Sequence, residues 1–304
     1  MANRIKEKYM AGKRYFDYPM LFLVIFLICF GLVMIYSTSS YKSTVTYGNS
    51  YHWLLRQAVA IVLGAVAMVV CCKLDYRIIK SEKVGNGCYW ASIVLLVLVL
   101  IIGAAKKGAV RWISIAGFQF QPSEVSKILV VIYLANRLSA NAHKIRTFKD
   151  SIVIVLPTVP IIALIVTQNL STALVVCSMI GVMLFVVSPK MKELMLTAGG
   201  GIILLFVYLL TANSYRNERV QIWLHPESHK KGFQTMQALY AIGSGGIFGK
   251  GLGQSMQKMG FIPESHNDMI FSIICEELGL FGAVCLILVF VALIFRMLLI
   301  ALNT

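Results

Sequence analysis

Acid is what this chain has least of. Only 13 of its 304 residues are Asp or Glu, against 28 Lys and Arg, and charged residues of both signs make up 13%. An ordinary soluble domain carries about 25% charged residues, so a water-facing globular surface of this size is excluded. Cysteine is present but unpatterned. The seven cysteines, Cys29, Cys71, Cys72, Cys88, Cys177, Cys275 and Cys285, are odd in number, lie in or beside apolar runs and lack metal-ligand spacing, which excludes a disulfide framework and a zinc site. They read as small buried hydrophobes. There is no low-complexity segment, no soluble domain and no internal repeat. The formal charge of +15 would suggest nucleic acid on a soluble protein, but no RNA- or DNA-binding pattern accompanies it. Positively charged inner loops and an anionic substrate are the causes to consider first.

What the chain does have is apolar length. Hydrophobic residues make up 58% and the mean hydropathy is +0.78. They come in continuous blocks, each near the roughly 20 residues that carry a helix across a bilayer. Without period-2 alternation a β-barrel is excluded. The expected fold is all-α, a polytopic transmembrane helical bundle of about eight spans. The blocks fall at 19–37, 55–73, 86–104, 122–138, 151–167, 171–188, 193–211 and 270–300. The whole chain, 1–304, reads as one integral membrane domain. The first block is too long for a signal-peptide core and lacks a small-residue cleavage site, so it is expected to remain as an anchor.

Orientation follows from Lys and Arg placement. With the N-terminus in the cytoplasm, the inner segments hold Arg4, Lys6, Lys8, Lys13 and Arg14, then Lys73, Arg77, Lys80 and Lys83, then Arg137, Lys144, Arg146 and Lys149, then Lys190 and Lys192. The outer segments hold fewer. Two of these are more than connectors. One is KKGAVRWISIAGFQFQ, 106–121. The other is the extracellular loop 212–269 between spans seven and eight, far longer than an ordinary connection and therefore a candidate for function. Within it, 233–242 is short and amphipathic and suits a helix lying at the interface or dipping into the protein.

The stretch 241–279, AIGSGGIFGKGLGQSMQKMGFIPESHNDMIFSIICEELG, concentrates glycine and charge beside the last span, where charge tends to mark function. It is not a nucleotide P-loop: Ser244 stands where the first Walker glycine belongs, and Gly251 where Ser or Thr must follow Lys250. Two alternatives stay open for its glycines, a backbone that approaches phosphate closely and a flexible turn. Lys106, Lys107, Arg111, Arg216, Arg219, Lys230, Lys231, Lys250 and Lys258 set positive charge on the outer side, suited to phosphate or pyrophosphate or to lipid headgroups. Asp268 has two readings, a helix cap in a Ser265–Asp268 box and a general base at the membrane surface beside His266. Glu276 and Glu277 read as a buried pair contacting loop cations, or as the marker of a span that begins only at Leu278. Glu124 and Lys127 are spaced to pair on one helix face, and Trp112 suits an interfacial anchor.

These residues resemble the SEDS proteins (shape, elongation, division and sporulation), the FtsW/RodA/SpoVE group. The matching segments are MIYSTSS, GAVRWISIAGFQFQPSEVSKI, YRNERVQIWLHPE, GFQTMQALYAIGSGGIFGKGLGQSMQK and FIPESHNDMIFSIICEELG, in that order along essentially the whole chain, with wording nearer the division and sporulation branch. The resemblance implies a peptidoglycan glycosyltransferase of the bacterial plasma membrane that polymerises lipid II on the outer face. Its catalytic aspartate falls on Asp268. Its Arg-Trp motif falls on Arg111 and Trp112, and Arg216, Lys258, Glu264 and His266 are implied to bind substrate. No metal ligands are assigned, although a divalent cation (Mg or Mn) could share the pyrophosphate charge. Lipid II, the undecaprenyl-pyrophosphate-linked glycan, a class B penicillin-binding transpeptidase and the bilayer are the implied partners, and nucleic acid is not among them. Two departures stand out. Gln168-Asn169-Leu170-Ser171-Thr172 lacks the family's proline and acid, and family members usually have ten spans, so two further spans are expected to be missing. A lipid II transporter and an inactive scaffold for a transpeptidase are the alternatives.

Overall fold

In the computed structural model, residues 16–106, 109–115, 118–145, 148–187, 199, 221–228 and 232–303 are described. The chain is helical, with one small sheet. Helix α1 is Tyr18–Tyr47, α2 His52–Lys73 and α3 Glu82–Ile102. Strands β1 (Ala104–Lys106), β2 (Ala109–Ile115) and β3 (Phe118–Phe120) follow. Then come α4 Pro122–Asn141, α5 Phe148–Val155, α6 Val159–Gln168, α7 Leu170–Val187, α8 Phe233–Ser244 and α9 Ile270–Asn303.

Among the described residues, six helical segments are long and apolar enough to cross a membrane, and they correspond to six of the eight expected spans. The protein is a multi-pass membrane protein. The fourth expected span is present as the 20-residue α4 but is the least apolar, carrying Glu124, Lys127, Asn136 and Arg137. The seventh, 193–211, lies outside the described residues apart from residue 199. Span five, Lys149–Gln168, is jointed. A short 3-10 turn, Leu156–Thr158, links α5 to α6, because Pro157 and Pro160 each remove a backbone donor.

The residues form two compact units, Met1–Val69 with Asn213–Thr304, and Val70–Ala212. In the second unit, Leu96 of α3, Val130 and Leu134 of α4, Ile161 and Ile165 of α6 and Val176 of α7 form the centre of the core. The segment 104–120 makes an antiparallel meander of order β1-β2-β3. Ala104 pairs with Trp112 and Ala105 with Val110, so the register shifts and Arg111 is the extra residue of a bulge. Bulges of this kind recur beside functional sites. At the head of α4, Lys127 Nζ lies 2.8 Å from Glu124 Oε2, the pairing that their spacing implied.

In the first unit, α1 and α9 run antiparallel. Asp17 caps α1 by accepting from Met20 N at 2.8 Å, and its other oxygen accepts from Arg296 near the end of α9. About 20 residues further along α1, Ser37 meets Glu277 of α9. Twenty residues of helix rise about 30 Å, the thickness of a bilayer core. The two polar contacts between α1 and α9 therefore sit one membrane thickness apart, with Met34, Ile274 and Leu286 as apolar packing between or beside them. Past Ser37, α1 continues as a polar helix of Ser, Thr, Tyr and Lys, ended by Gly48 in the left-handed conformation. This extension and the loop before α9 belong to the membrane face away from Asp17.

The cysteines correct their sequence-based placement. All seven are free, but only Cys275 is buried; Cys29, Cys71, Cys72, Cys177 and Cys285 are exposed on helix surfaces. In a membrane protein the outward face of a helix meets lipid tails, so a small apolar side chain suits it equally well.

Candidate functional site

The site grows from a break in α9. Gly279 has φ 69° and ψ −172° inside that helix, conformations closed to a residue with Cβ. The break orphans carbonyls before it and N–H groups after it, which is costly unless they find partners. The glycine-rich loop supplies them. Lys250 N and Gly251 N donate to Glu276 O and Glu277 O, each at 2.9 Å, and Leu280 N and Phe281 N donate to Gly246 O and Ile247 O at 2.9 and 3.0 Å. Such pairing requires backbone against backbone: a Cβ on Gly249 would lie 2.2 Å from Glu277 O. The N–H groups of Lys250 and Gly251 are therefore taken up within the protein, and that of Gly249 donates to Gly245 O at 2.9 Å. The loop is neither a phosphate cradle at these positions nor a flexible turn; it completes the broken helix.

The same break turns two carboxylates inward. Glu276 and Glu277 are both fully buried. Glu276 Oε1 accepts from Lys250 Nζ at 2.7 Å, and its other oxygen accepts from Ser255 Oγ. Glu277 Oε1 accepts from Lys258 Nζ at 2.8 Å, and Ser37 Oγ of α1 lies 2.8 Å from both its oxygens. Lys258 Nζ also donates to Ser37 Oγ at 3.0 Å. Of the two sequence readings of these acids, the buried pair contacting loop cations is the one observed; α9 already begins at Ile270. Lys258 is 6% exposed and lines a cleft of about 600 Å³ between α1 and the loop, with Tyr36, Ser40, Tyr41, Leu252 and Met259 on its walls.

Between this network and the membrane face lies the stretch 262–268. Ile262 packs with Ala241 of α8 and Ile273 of α9, and Ser265 Oγ donates to Thr38 O of α1 at 3.3 Å. Glu264 takes the left-handed conformation, φ 55°, which non-glycine residues rarely adopt outside constrained sites. Its carboxylate accepts from Asn267 Nδ2 at 3.2 Å and lies 3.9 Å from Lys42 Nζ. His266 is buried, and neither ring nitrogen has a hydrogen-bond partner among the described residues. Its ring lies 4.6 Å from that of Trp53, tilted by 35°. Burial, and next the Lys42 ammonium, hold the imidazole below its ordinary pKa, while Glu264 acts weakly in the other direction. Asp268 is exposed, and among the described residues its carboxylate has no hydrogen-bond or ion-pair partner. It does not cap α9, and Ser265 is engaged with α1, so the capping box is not formed.

Thus Lys258, Glu264, His266 and Asp268 fall in one unit on the loop 250–268. Arg111 and Trp112 lie on β2 in the other unit, where Trp112 is half-buried. Arg216 lies outside the described residues. Lys42 and Trp53 carry no signal in the sequence, and Ser37 enters only as part of the MIYSTSS segment, without a role: all three stand more than 200 residues from these partners, and no local spacing joins them. Among the described residues, no three His, Cys, Asp or Glu side chains gather as a ligand set. At the weakened motif, Gln168 Nε2 donates to Leu96 O at 3.2 Å and Asn169 Oδ1 accepts from Ser171 N at 3.1 Å, so both residues have structural work.

Comparison with known proteins agrees with this architecture. A probable peptidoglycan glycosyltransferase FtsW of Geobacter metallireducens is 36% identical over 293 residues, covering 92% of this chain and 76% of its own. Stage V sporulation protein E of Bacillus subtilis is 34% identical over 297 residues, covering 94% and 79%. A solved chain from a peptidoglycan synthase complex, described as coordinating polymerization and crosslinking, superposes with a TM-score of 0.74 at 28% identity, covering 95% of this chain and 79% of that one. The family described as cell cycle protein, FtsW/RodA/SpoVE, matches residues 18–304, and the chain belongs to it.

Proposed function

We propose that this protein is a peptidoglycan glycosyltransferase that polymerises lipid II on the outer face of the bacterial plasma membrane, with its N-terminus in the cytoplasm. The observation that carries the proposal is the contrast at 262–277: an exposed carboxylate without a partner among the described residues, Asp268, on a stretch anchored by two fully buried, fully paired ones. The names of the relatives support the same chemistry.

Asp268 is the general base. The 4-hydroxyl oxygen of an incoming lipid-linked disaccharide attacks the anomeric carbon of the growing chain. Its proton passes to the Asp268 carboxylate, the bond from carbon to pyrophosphate oxygen breaks, and undecaprenyl pyrophosphate leaves. General-base catalysis of this kind is worth about 10²–10⁴-fold. Arg111 and Arg216 are assigned to the pyrophosphate, with guanidinium groups suited to its oxygens. Trp112, Glu264 and His266 are assigned to substrate positioning, and Lys258 to the cleft beside α1. The apolar prenyl chain explains why such an enzyme is built in a bilayer. A class B penicillin-binding transpeptidase is the proposed partner, supported by the likeness to a chain from a complex that couples polymerization to crosslinking.

The test is Asp268→Asn in purified protein reconstituted with lipid II. Glycan polymer on a gel should vanish while membrane insertion and helix content are kept; full activity in that variant refutes the base role. A second proposal, transport of lipid II, draws on the broken α9, since discontinuous helices with buried charge also occur in carriers. Here the break is filled by the 245–251 loop, which favours a fixed scaffold. Movement of labelled lipid II across liposomes without polymer formation would favour transport instead.

A further inference from the structure

We propose that a pocket at the far end of the second unit seats the phosphodiester headgroup of an acidic membrane phospholipid. The pocket holds about 240 Å³ and lies between the start of α3 and the end of α4, lined by Lys80, Glu82, Asn86, Asn136, Arg137 and Asn141. The meander of the same unit lies at the other ends of these two helices. About 20 helical residues, or some 30 Å, separate the two ends, so the pocket belongs to the opposite membrane face from Trp112.

Its walls are built, and among the described residues the Lys80 ammonium has no side-chain partner, while the Arg137 guanidinium is engaged by Tyr133. Asn136 Nδ2 donates to Ile79 O at 2.6 Å, tying the turn before α3 to α4. Gly85 permits this approach, since a Cβ there would meet Asn136 Nδ2 at 2.9 Å. Asn141 Nδ2 donates to Arg137 O at 2.9 Å, which leaves each amide one further N–H. The Arg137 guanidinium lies 5.8 Å from the Tyr133 ring centroid, and its Nε is buried without a partner. Among the described residues, neither Lys80 nor Arg137 forms an ion pair. Ser81 precedes α3 without a side-chain cap, so the positive end of that helix adds to the same field.

The charge balance selects the ligand. Lys80 and Arg137 against Glu82 leave one net positive charge, which matches a singly charged phosphodiester better than a phosphate dianion. Both helices are of spanning length, and Trp90, two turns into α3, is 63% exposed, as an interfacial anchor would be. Basic pockets between membrane helices are sites for acidic headgroups.

The test uses the full chain in nanodiscs of phosphatidylcholine with and without phosphatidylglycerol, read by the lipids retained in native mass spectrometry and by the thermal midpoint. Phosphatidylglycerol should be retained in preference and should raise the midpoint. Preference should drop about fivefold for each basic residue removed, in Lys80→Gln and further in Lys80→Gln/Arg137→Gln. The charge-matched pair Lys73→Gln/Arg77→Gln, outside the pocket, should keep it. Equal loss in both pairs would overturn the proposal, as would no loss in either. Equal stabilisation by soluble glycerol phosphate in detergent would overturn the lipid assignment. Should the double variant fail to insert, Lys80→Gln alone, at an exposed position, carries the test.

Discussion

Three acids within ten residues of this chain live in opposite conditions. Glu276 and Glu277 are fully buried, and each is held by a lysine and a serine. Asp268 is exposed and, among the described residues, holds nothing. A buried carboxylate is tolerated only when paired, and removing one partner is far costlier than removing both. An exposed, unpaired carboxylate contributes almost nothing to folding. The difference separates two jobs that sequence places side by side: Glu276 and Glu277 hold the loop to the broken helix and to α1, and Asp268 is left free to take a proton.

The largest expected effect tests the free member. Asp268→Asn should lower polymerisation by at least about 10²-fold while leaving the thermal midpoint unchanged. A stability loss as large as the activity loss would place Asp268 with the scaffold and dissolve the contrast. The paired members should behave in reverse. Glu277→Ala strands the Lys258 ammonium at 6% exposure and should cost about 3–5 kcal/mol of stability. The double variant Glu277→Ala/Lys258→Met should recover most of that loss in chemical unfolding, and equal losses in single and double variants would show that the pair is not coupled. Gly249→Ala comes next. Its φ of 78° and the 2.2 Å approach to Glu277 O should together cost about 1–3 kcal/mol through strain alone. They should also raise protease cutting in 245–253. Unchanged cutting would mean that the loop does not depend on its seat in the break.

How much of this was legible in the chain follows the range of the interactions. Apolar length gave six of the spans, because crossing a bilayer is a local requirement on about 20 residues. The amphipathic period gave α8, and the spacing of Glu124 and Lys127 gave their pair. The resemblance singled out Asp268, but its alternative as a helix cap could be set aside only once Ser265 was seen bonded to Thr38. The break at Gly279 was invisible, since a lone glycine in an apolar helix is tolerated. What fixes it is a loop some thirty residues earlier that supplies backbone partners. The segment 106–121 reads from sequence as more than a connector but not as strands, since β1 and β3 are three residues each and the seven residues of β2, AVRWISI, do not alternate apolar with polar. The pairing of Ser37 with Glu277 spans 240 residues, and no pattern within one segment encodes it.

His266 offers the smallest and sharpest test, because it stands between the two classes: buried like the glutamates and, among the described residues, without a hydrogen-bond partner like the aspartate. From α1 it faces Lys42, from its own stretch Glu264, and from α2 the Trp53 ring, over which Arg56 lies at 5.8 Å. Burial and Lys42 lower its pKa, so the folded protein prefers the neutral ring. Above the ordinary value of about 6.5 both folded and unfolded chains hold it neutral, and it adds no pH dependence. As pH falls below that value, the unfolded chain takes up a proton first. Stability is then lost progressively until the pH reaches the lower value of the folded state. The thermal midpoint of the wild type should therefore fall between about pH 7 and pH 5 more steeply than that of His266→Phe, which keeps the contact with Trp53 and removes the titration. Parallel midpoints in the two proteins would mean that His266 already finds a partner that holds its proton, and would move it from the free side of the comparison to the paired one.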